Sequence, residues 1–125
     1  MILIIGGRSQ GKREFAAKVL DISTSDIANG NEISPETALG CRYIADFQEL
    51  VKKCPDPVGF AGEICRKKPD CVIMDEVGCG IVPMEKNERI WRENVGRCGC
   101  IIASAAECVV RITCGIPSII KGELQ

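Results

Sequence analysis

The residues best suited to chemistry stand near the start of this chain. Gly6-Gly7-Arg8-Ser9-Gln10-Gly11-Lys12 closes an apolar run, Ile2-Leu3-Ile4-Ile5. A glycine-rich turn between a strand and a helix turns its N–H groups towards an anion. A lysine at the opening of that helix reaches the β- and γ-phosphates. That is the chemistry of a triphosphate site, and it makes Gly6, Gly7, Arg8, Ser9, Gln10, Gly11, Lys12 and Arg13 the candidate nucleotide-binding residues. The spacing of Gly, four residues, Gly and Lys is met. The next position departs from the pattern, because Arg13 stands where a Ser or Thr would hold magnesium. Either a metal ligand is lost there, or the guanidinium itself neutralises phosphate charge. The bland alternative is a glycine-rich β–α turn with a surface lysine. The strand before and the helix after favour the phosphate site.

A second group follows Cys71-Val72-Ile73-Met74, another apolar run, which ends in Asp75-Glu76. Carboxylates at a strand end beside a phosphate loop hold Mg²⁺ directly or through water, or orient an attacking hydroxyl. Lys12, Asp75 and Glu76 are therefore the candidate catalytic set, with Asp75 and Glu76 as the magnesium ligands. Read alone, the two acids are a solvated strand terminus. Arg89 and Arg92 lie one helical turn apart and share a face. They are candidates for phosphate or subunit-interface contacts, against salt bridges to Glu85, Glu88 or Glu93.

These residues need elements to hold them. Residues 2–5 read as a buried parallel strand and 12–20 as a helix with Phe15, Ala16, Val19 and Leu20 on one side. Residues 21–40 are rich in Ser, Thr, Asn, Asp and Gly and read mostly as loop, with one short helical turn at Ser34-Pro35-Glu36-Thr37. A short strand is expected at 41–45. Asp46 is expected to cap a helix running to Lys53, with Phe47, Leu50 and Val51 inside. Pro55 and Pro57 break it, and a second helix covers 58–67, stopped before Pro69. After the strand at 71–74 comes the glycine-rich turn Val77-Gly78-Cys79-Gly80-Ile81-Val82-Pro83. The longest helix is expected over about 85–106, with Ile90, Trp91, Val95, Cys98, Ile101, Ile102 and Ala105 as its apolar stripe. A last strand spans 108–113, turned by Gly115-Ile116-Pro117. Strands alternating with helices predict a small α/β, P-loop-type three-layer domain with a mainly parallel sheet, one domain over residues 1–125.

Composition narrows the function classes. A net charge of −1 gives no basic field for nucleic acid. No apolar run reaches the ~18 to 20 residues that span a bilayer. The N-terminal apolar stretch is short for a signal peptide, so a cytoplasmic location is expected. The sequence has nine cysteines and no histidine. No Cys-x-x-Cys pair is present, so reduced thiols acting mostly as small buried hydrophobes are expected, rather than a metal or redox centre.

The C-terminal half carries a resemblance. Glu76-Val77-Gly78-Cys79-Gly80-Ile81-Val82-Pro83, then Arg89, Arg92-Glu93, Gly96, Ala103, Ala106, Val109, Gly115-Ile116-Pro117 and Lys121, taken with the Gly-Gly-x-x-x-Gly-Lys start, resemble the adenosylcobinamide kinase / adenosylcobinamide-phosphate guanylyltransferase family. The likeness covers residues 1–20 and 71–121. It implies a P-loop α/β fold, oligomers with sites near subunit contacts, and two reactions of cobalamin assembly. A nucleoside triphosphate phosphorylates the hydroxyl of adenosylcobinamide; GTP then donates GMP through a guanylylated histidine. The chain departs from that pattern. It has no histidine, Gln48 stands roughly where that histidine's helix is sought, the middle is short, and Gly99-Cys100 replaces an Asn-Gln pair.

The expected function is phosphoryl transfer from ATP or GTP to the hydroxyl of adenosylcobinamide, with Mg²⁺ as cofactor and guanylyl transfer made doubtful by the missing histidine. The competing class is a non-catalytic nucleotide-binding module in corrinoid metabolism. The expected partners are a nucleoside triphosphate, the corrinoid and further copies of the chain, since a small sheet with free edges favours self-association.

Overall fold

The computed structural model describes residues 1–77 and 85–124. Most of the glycine-rich turn, from Gly78 to Pro83, lies outside the described residues. Among the described residues, six strands and five α-helices, with one 3-10 turn at Thr24–Asp26, are arranged as β1 (Ile2–Gly6), α1 (Lys12–Leu20), β2 (Ala28–Asn29), α2 (Pro35–Ala38), β3 (Tyr43–Ala45), α3 (Phe47–Lys52), α4 (Pro57–Lys67), β4 (Cys71–Asp75), α5 (Lys86–Ala105), β5 (Cys108–Thr113) and β6 (Ile116–Lys121). The sheet order is β2-β3-β4-β1-β5-β6. Every pairing is parallel except β5 with β6. This is the α/β, mainly parallel architecture that the alternating pattern predicts.

Side-chain alternation along β1 sorts the core into two layers. Leu3 joins Val72, Phe47, Phe60, Ile64, Val95 and Ile102 on the face covered by α3, α4 and α5. Ile4 joins Ala16 of α1, Ile73 and Val110 on the other. Phe47 and Phe60 stack with centroids 5.6 Å apart. With few aromatics elsewhere, this pair and a set of β-branched side chains fill the interior.

Local chemistry explains the element ends. Ser34 caps α2 by accepting from Thr37 N, with Pro35 in the first turn. Asp56 caps α4 by accepting from Gly59 N, again with a proline next. At the far end of α5, Lys121 donates to the carbonyls of Ala103 and Ser104, which the helix leaves without partners.

Four expectations are corrected. Residues 21–40 hold a short strand, β2, beside the expected helical turn. Its two residues are too few to leave a period in the sequence. Asp46 occupies the cap position of α3 but makes no capping bond, because its backbone is left-handed at φ 52°, ψ 44° and its side chain turns elsewhere. Ile90, 44% exposed, and Ala105 lie outside the buried stripe of α5, which consists of Val95, Cys98 and Ile102. Ile116 and Pro117 are not a turn. The reversal is made one step earlier by Cys114 (φ 51°) and Gly115 (φ 78°), and Pro117 lies in edge strand β6 opposite Ile112. A proline needs no donor on a free edge.

Candidate active site

The carboxyl ends of four neighbouring strands deliver the polar residues of one cleft. Asn31 follows β2, Asp46 follows β3, Asp75 ends β4 with Glu76 beyond it, and residues 7–11 follow β1. Open parallel sheets bind ligands at this edge. The cleft holds about 630 Å³ and is lined by Arg8 to Glu14, Asp46, Gln48, Asp75, Glu76 and Trp91, among others.

The loop after β1 is held by backbone geometry and by distant partners. Ser9 and Gly11 both have positive φ, 59° and 88°. Such left-handed turns bring N–H groups together around a concavity. The carbonyl of Gln10 accepts from Gly115 N at 3.1 Å, and its side-chain Oε1 accepts from Cys114 N. The β5–β6 turn therefore clips the loop in place. Gly6 is the last residue of β1. A Cβ there would sit 2.5 Å from the Ile112 carbonyl oxygen, so only glycine lets β1 approach β5 this closely.

Lys12 is 7% exposed. Its Nζ donates to Gly7 O at 2.7 Å and pairs with Asp75 Oδ1 at 2.7 Å. The ammonium therefore bridges the loop and the end of β4. Beside it, Glu76 N donates to Gly6 O at 2.9 Å, and the Glu76 carboxylate receives Arg111 in a two-pronged contact, both prongs at 2.9 Å. Arg13 pairs with Asp46 at 2.7 Å. Three cations from α1 and β5 thus face three carboxylates at or just past the ends of β3 and β4.

Gln48 is buried and ties the acids together. Its Oε1 accepts from Asp75 N at 2.9 Å, and its Nε2 donates to Asp46 Oδ1 at 3.3 Å. Trp91 Nε1 donates to the Gln48 carbonyl at 2.8 Å, and Lys52 Nζ lies 4.1 Å from the centre of the indole ring.

Of the residues read from the sequence, Arg8 to Arg13, Asp75 and Glu76 converge on the cleft. Gly6 and Gly7 do not line it; Gly6 ends β1, and the Gly7 carbonyl accepts from Lys12 Nζ. Arg89 and Arg92 do not line it. Arg89 is exposed on α5, and Arg92 Nε donates to the Val77 carbonyl. Sequence reasoning missed Asn31, Asp46 as a cleft residue, and Arg111. The position of Asp46 just after a short apolar strand was the available signal. Arg111 had none, being one basic residue in an alternating strand.

Among the described residues, no group of three or more His, Cys, Asp or Glu could hold a metal ion. The donor set at the end of β4 nevertheless suits magnesium, which takes one or two carboxylates and completes its shell with phosphate oxygens and water. The cysteines are dispersed. Cys71, Cys98 and Cys108 are buried, while Cys100 and Cys114 are exposed. Burial pushes the Cys71 thiol up to about 12, and the Cys54 and Cys98 thiols up to about 11, so these three are inert thiols at neutral pH. Cys79 lies outside the described residues.

An α/β sheet of this order, with a glycine loop and a buried lysine at its carboxyl edge, defines a P-loop-type domain. The family model for cobinamide kinase / cobinamide phosphate guanyltransferase matches residues 58–120, just over half of the chain. The chain belongs to that family. The match runs from α4 into β6, so the loop and Lys12 stand on their own geometry. No curated protein matches the chain. Among the described residues, no helix is long and apolar enough to cross a membrane.

Proposed function

We propose that this chain binds a nucleoside triphosphate, ATP or GTP, along the cleft and transfers its γ-phosphoryl group to the hydroxyl of adenosylcobinamide. The observation that carries this reading is the placement of Lys12. A buried ammonium held by Gly7 O and Asp75 Oδ1 stands where a phosphate chain lying on the loop would run. Loop N–H groups from Gly6 to Gly11 cradle the β-phosphate. Lys12 exchanges its carboxylate partner for phosphate oxygens, which frees Asp75. Asp75 and Glu76 would hold Mg²⁺, which neutralises phosphate charge when bound. The substrate oxygen attacks the γ-phosphorus, the bond to the β–γ bridging oxygen breaks, and the nucleoside diphosphate leaves. Asp75 orients the attacking hydroxyl and accepts its proton as the new O–P bond forms. Positioning and charge supply most of the catalysis in such a transfer.

Guanylyl transfer through histidine has no residue to use, since the sequence contains none. Arg89 and Arg92, which do not line the cleft, are candidates for subunit-interface contacts rather than phosphate contacts. A cytoplasmic location suits these substrates and the free thiols. Ile116, Ile119 and Ile120 on the open edge strand, each more than half exposed, support self-association. The same ion pairs also suit a module that binds nucleotide without turnover, because each carboxylate already has a cation.

The test is mass spectrometry of adenosylcobinamide incubated with the chain, Mg²⁺, ATP and GTP, with Lys12→Ala alongside. Cobinamide phosphate that disappears in the variant supports the kinase. Unchanged substrate with intact nucleotide binding favours the module. A GDP-linked product would overturn the reading that guanylyl transfer is lost.

A further inference from the structure

Arg13 and Asp46 come from different layers of the fold, and both line the cleft. Arg13 lies in the first turn of α1, next to Lys12, and Asp46 lies between β3 and α3. The Asp46 carboxylate accepts from three segments: Arg13 Nη2 at 2.7 Å, Gln48 Nε2 at 3.3 Å and Asn31 Nδ2 at 3.5 Å. Its backbone is left-handed, which costs a non-glycine residue roughly 1–2 kcal/mol. That conformation forgoes the capping bond and aims the carboxylate into the cleft instead.

The surroundings fix it there. Gly30 N donates to Ala45 O at 2.8 Å, and a Cβ on Gly30 would lie 2.3 Å from Asp46 O. Lys53 Nζ gathers the carbonyls of Gly30, Asn31 and Ile33. The Arg13 side chain keeps 33% of its surface open. A guanidinium has five N–H donors, and the pair with Asp46 leaves others for an oxyanion.

We propose that Arg13 and Asp46 act as one unit, with Asp46 a positioning residue that holds the Arg13 guanidinium against the nucleotide's phosphates, where a loop hydroxyl would otherwise hold magnesium. This rests on the nucleotide-binding reading above. Within the ion pair, the guanidinium N–H donors that Asp46 leaves open stay fixed to the protein at the phosphate end. Nucleotide affinity therefore depends less on magnesium than in a loop ending in Ser or Thr.

The test is calorimetric titration of the full chain with non-hydrolysable ATP and GTP analogues, in excess EDTA and again in Mg²⁺. The unaltered chain is expected to bind in EDTA. Asp46→Asn, which tolerates the same backbone, is expected to weaken that binding about tenfold, the loss of one charge-assisted contact. Arg13→Ala should match it, and the double variant should be no worse than Arg13→Ala, since Asp46 acts through Arg13. Arg13→Ser should lose affinity in EDTA and regain it in Mg²⁺. Arg13→Lys keeps the charge without the fork and should bind several-fold more weakly in EDTA. Unchanged EDTA affinity in Asp46→Asn or Arg13→Lys overturns the proposal, as does a full additive loss in the double variant. Binding that Lys12→Ala abolishes but Asp46→Asn leaves intact overturns this inference alone. No binding by the unaltered chain overturns the nucleotide reading with it.

Discussion

Arg111 reaches across the end of β1 and holds Glu76 with Nε on Oε1 and Nη2 on Oε2. The strand order places β1 between the two residues' strands, so the contact bridges over Gly6. Arg111 is half exposed, and its removal should cost little stability, less than about 1 kcal/mol. Its effect should appear in magnesium. Arg111→Ala leaves Glu76 without that guanidinium, so half-saturation by Mg²⁺ in the kinase assay should fall. An unchanged magnesium curve would remove Glu76 from the proposed metal site.

Gln48 is the buried link between two acids. Replacing it with Ala strands the Asp75 N–H and opens a gap beneath Asp46. A buried donor left without a partner costs roughly 1–3 kcal/mol. Urea denaturation of Gln48→Ala should show a lower midpoint at unchanged slope. A midpoint equal to that of the unaltered chain would mean that water takes over both contacts.

Gly6→Ala tests the close approach of β1 and β5. The added methyl meets a backbone carbonyl at 2.5 Å, so a strand must move rather than a side chain. The variant should lose more than about 2 kcal/mol, in the range of strained or overpacked cores. Nucleotide binding should fall with it, because the loop begins at this residue. Native stability in Gly6→Ala would show that the β1–β5 spacing relaxes freely.

The thiols set an alkaline limit. Cys71 is pushed up to about 12, and Cys54 and Cys98 to about 11, from 9.0, chiefly by burial. The native state keeps these protons where the unfolded chain loses them, so it binds more protons between the two values. Stability is therefore complete below pH 9 and falls as pH rises from about 9 towards 11–12. At pH 8, iodoacetamide should label Cys100 and Cys114, both exposed, long before Cys71. Labelling of Cys71 at the same rate in folded protein would contradict its burial.

The elements legible in the sequence are those whose signals are local. An apolar run ending in glycines gives β1 and its loop. Ser34-Pro35 and Asp56-Pro57 announce α2 and α4 through capping chemistry. What escaped reading was decided at a distance. Asp46 looks like any capping aspartate until Arg13, Gln48 and Asn31 compete for its carboxylate. Pro117 looks like a turn residue until the sheet leaves it an open edge. Within the candidate cleft, the convergence of Lys12, Asp75 and Glu76 was legible from type and position, while Arg111 became visible only when β5 took its place beside β1.

The contact between Gln10 and Cys114 spans 104 residues of sequence. β1 likewise finds its neighbours only at residues 71–75 and 108–113. A chain made from its N-terminus therefore builds its phosphate loop among the first segments and fixes it among the last. Until residue 115 has left the ribosome, the loop has neither of its clips and Glu76 has no Arg111. Pairings this distant in sequence form slowly. The glycine loop thus travels through synthesis unsupported, and nucleotide present during that interval meets a site that is not yet assembled.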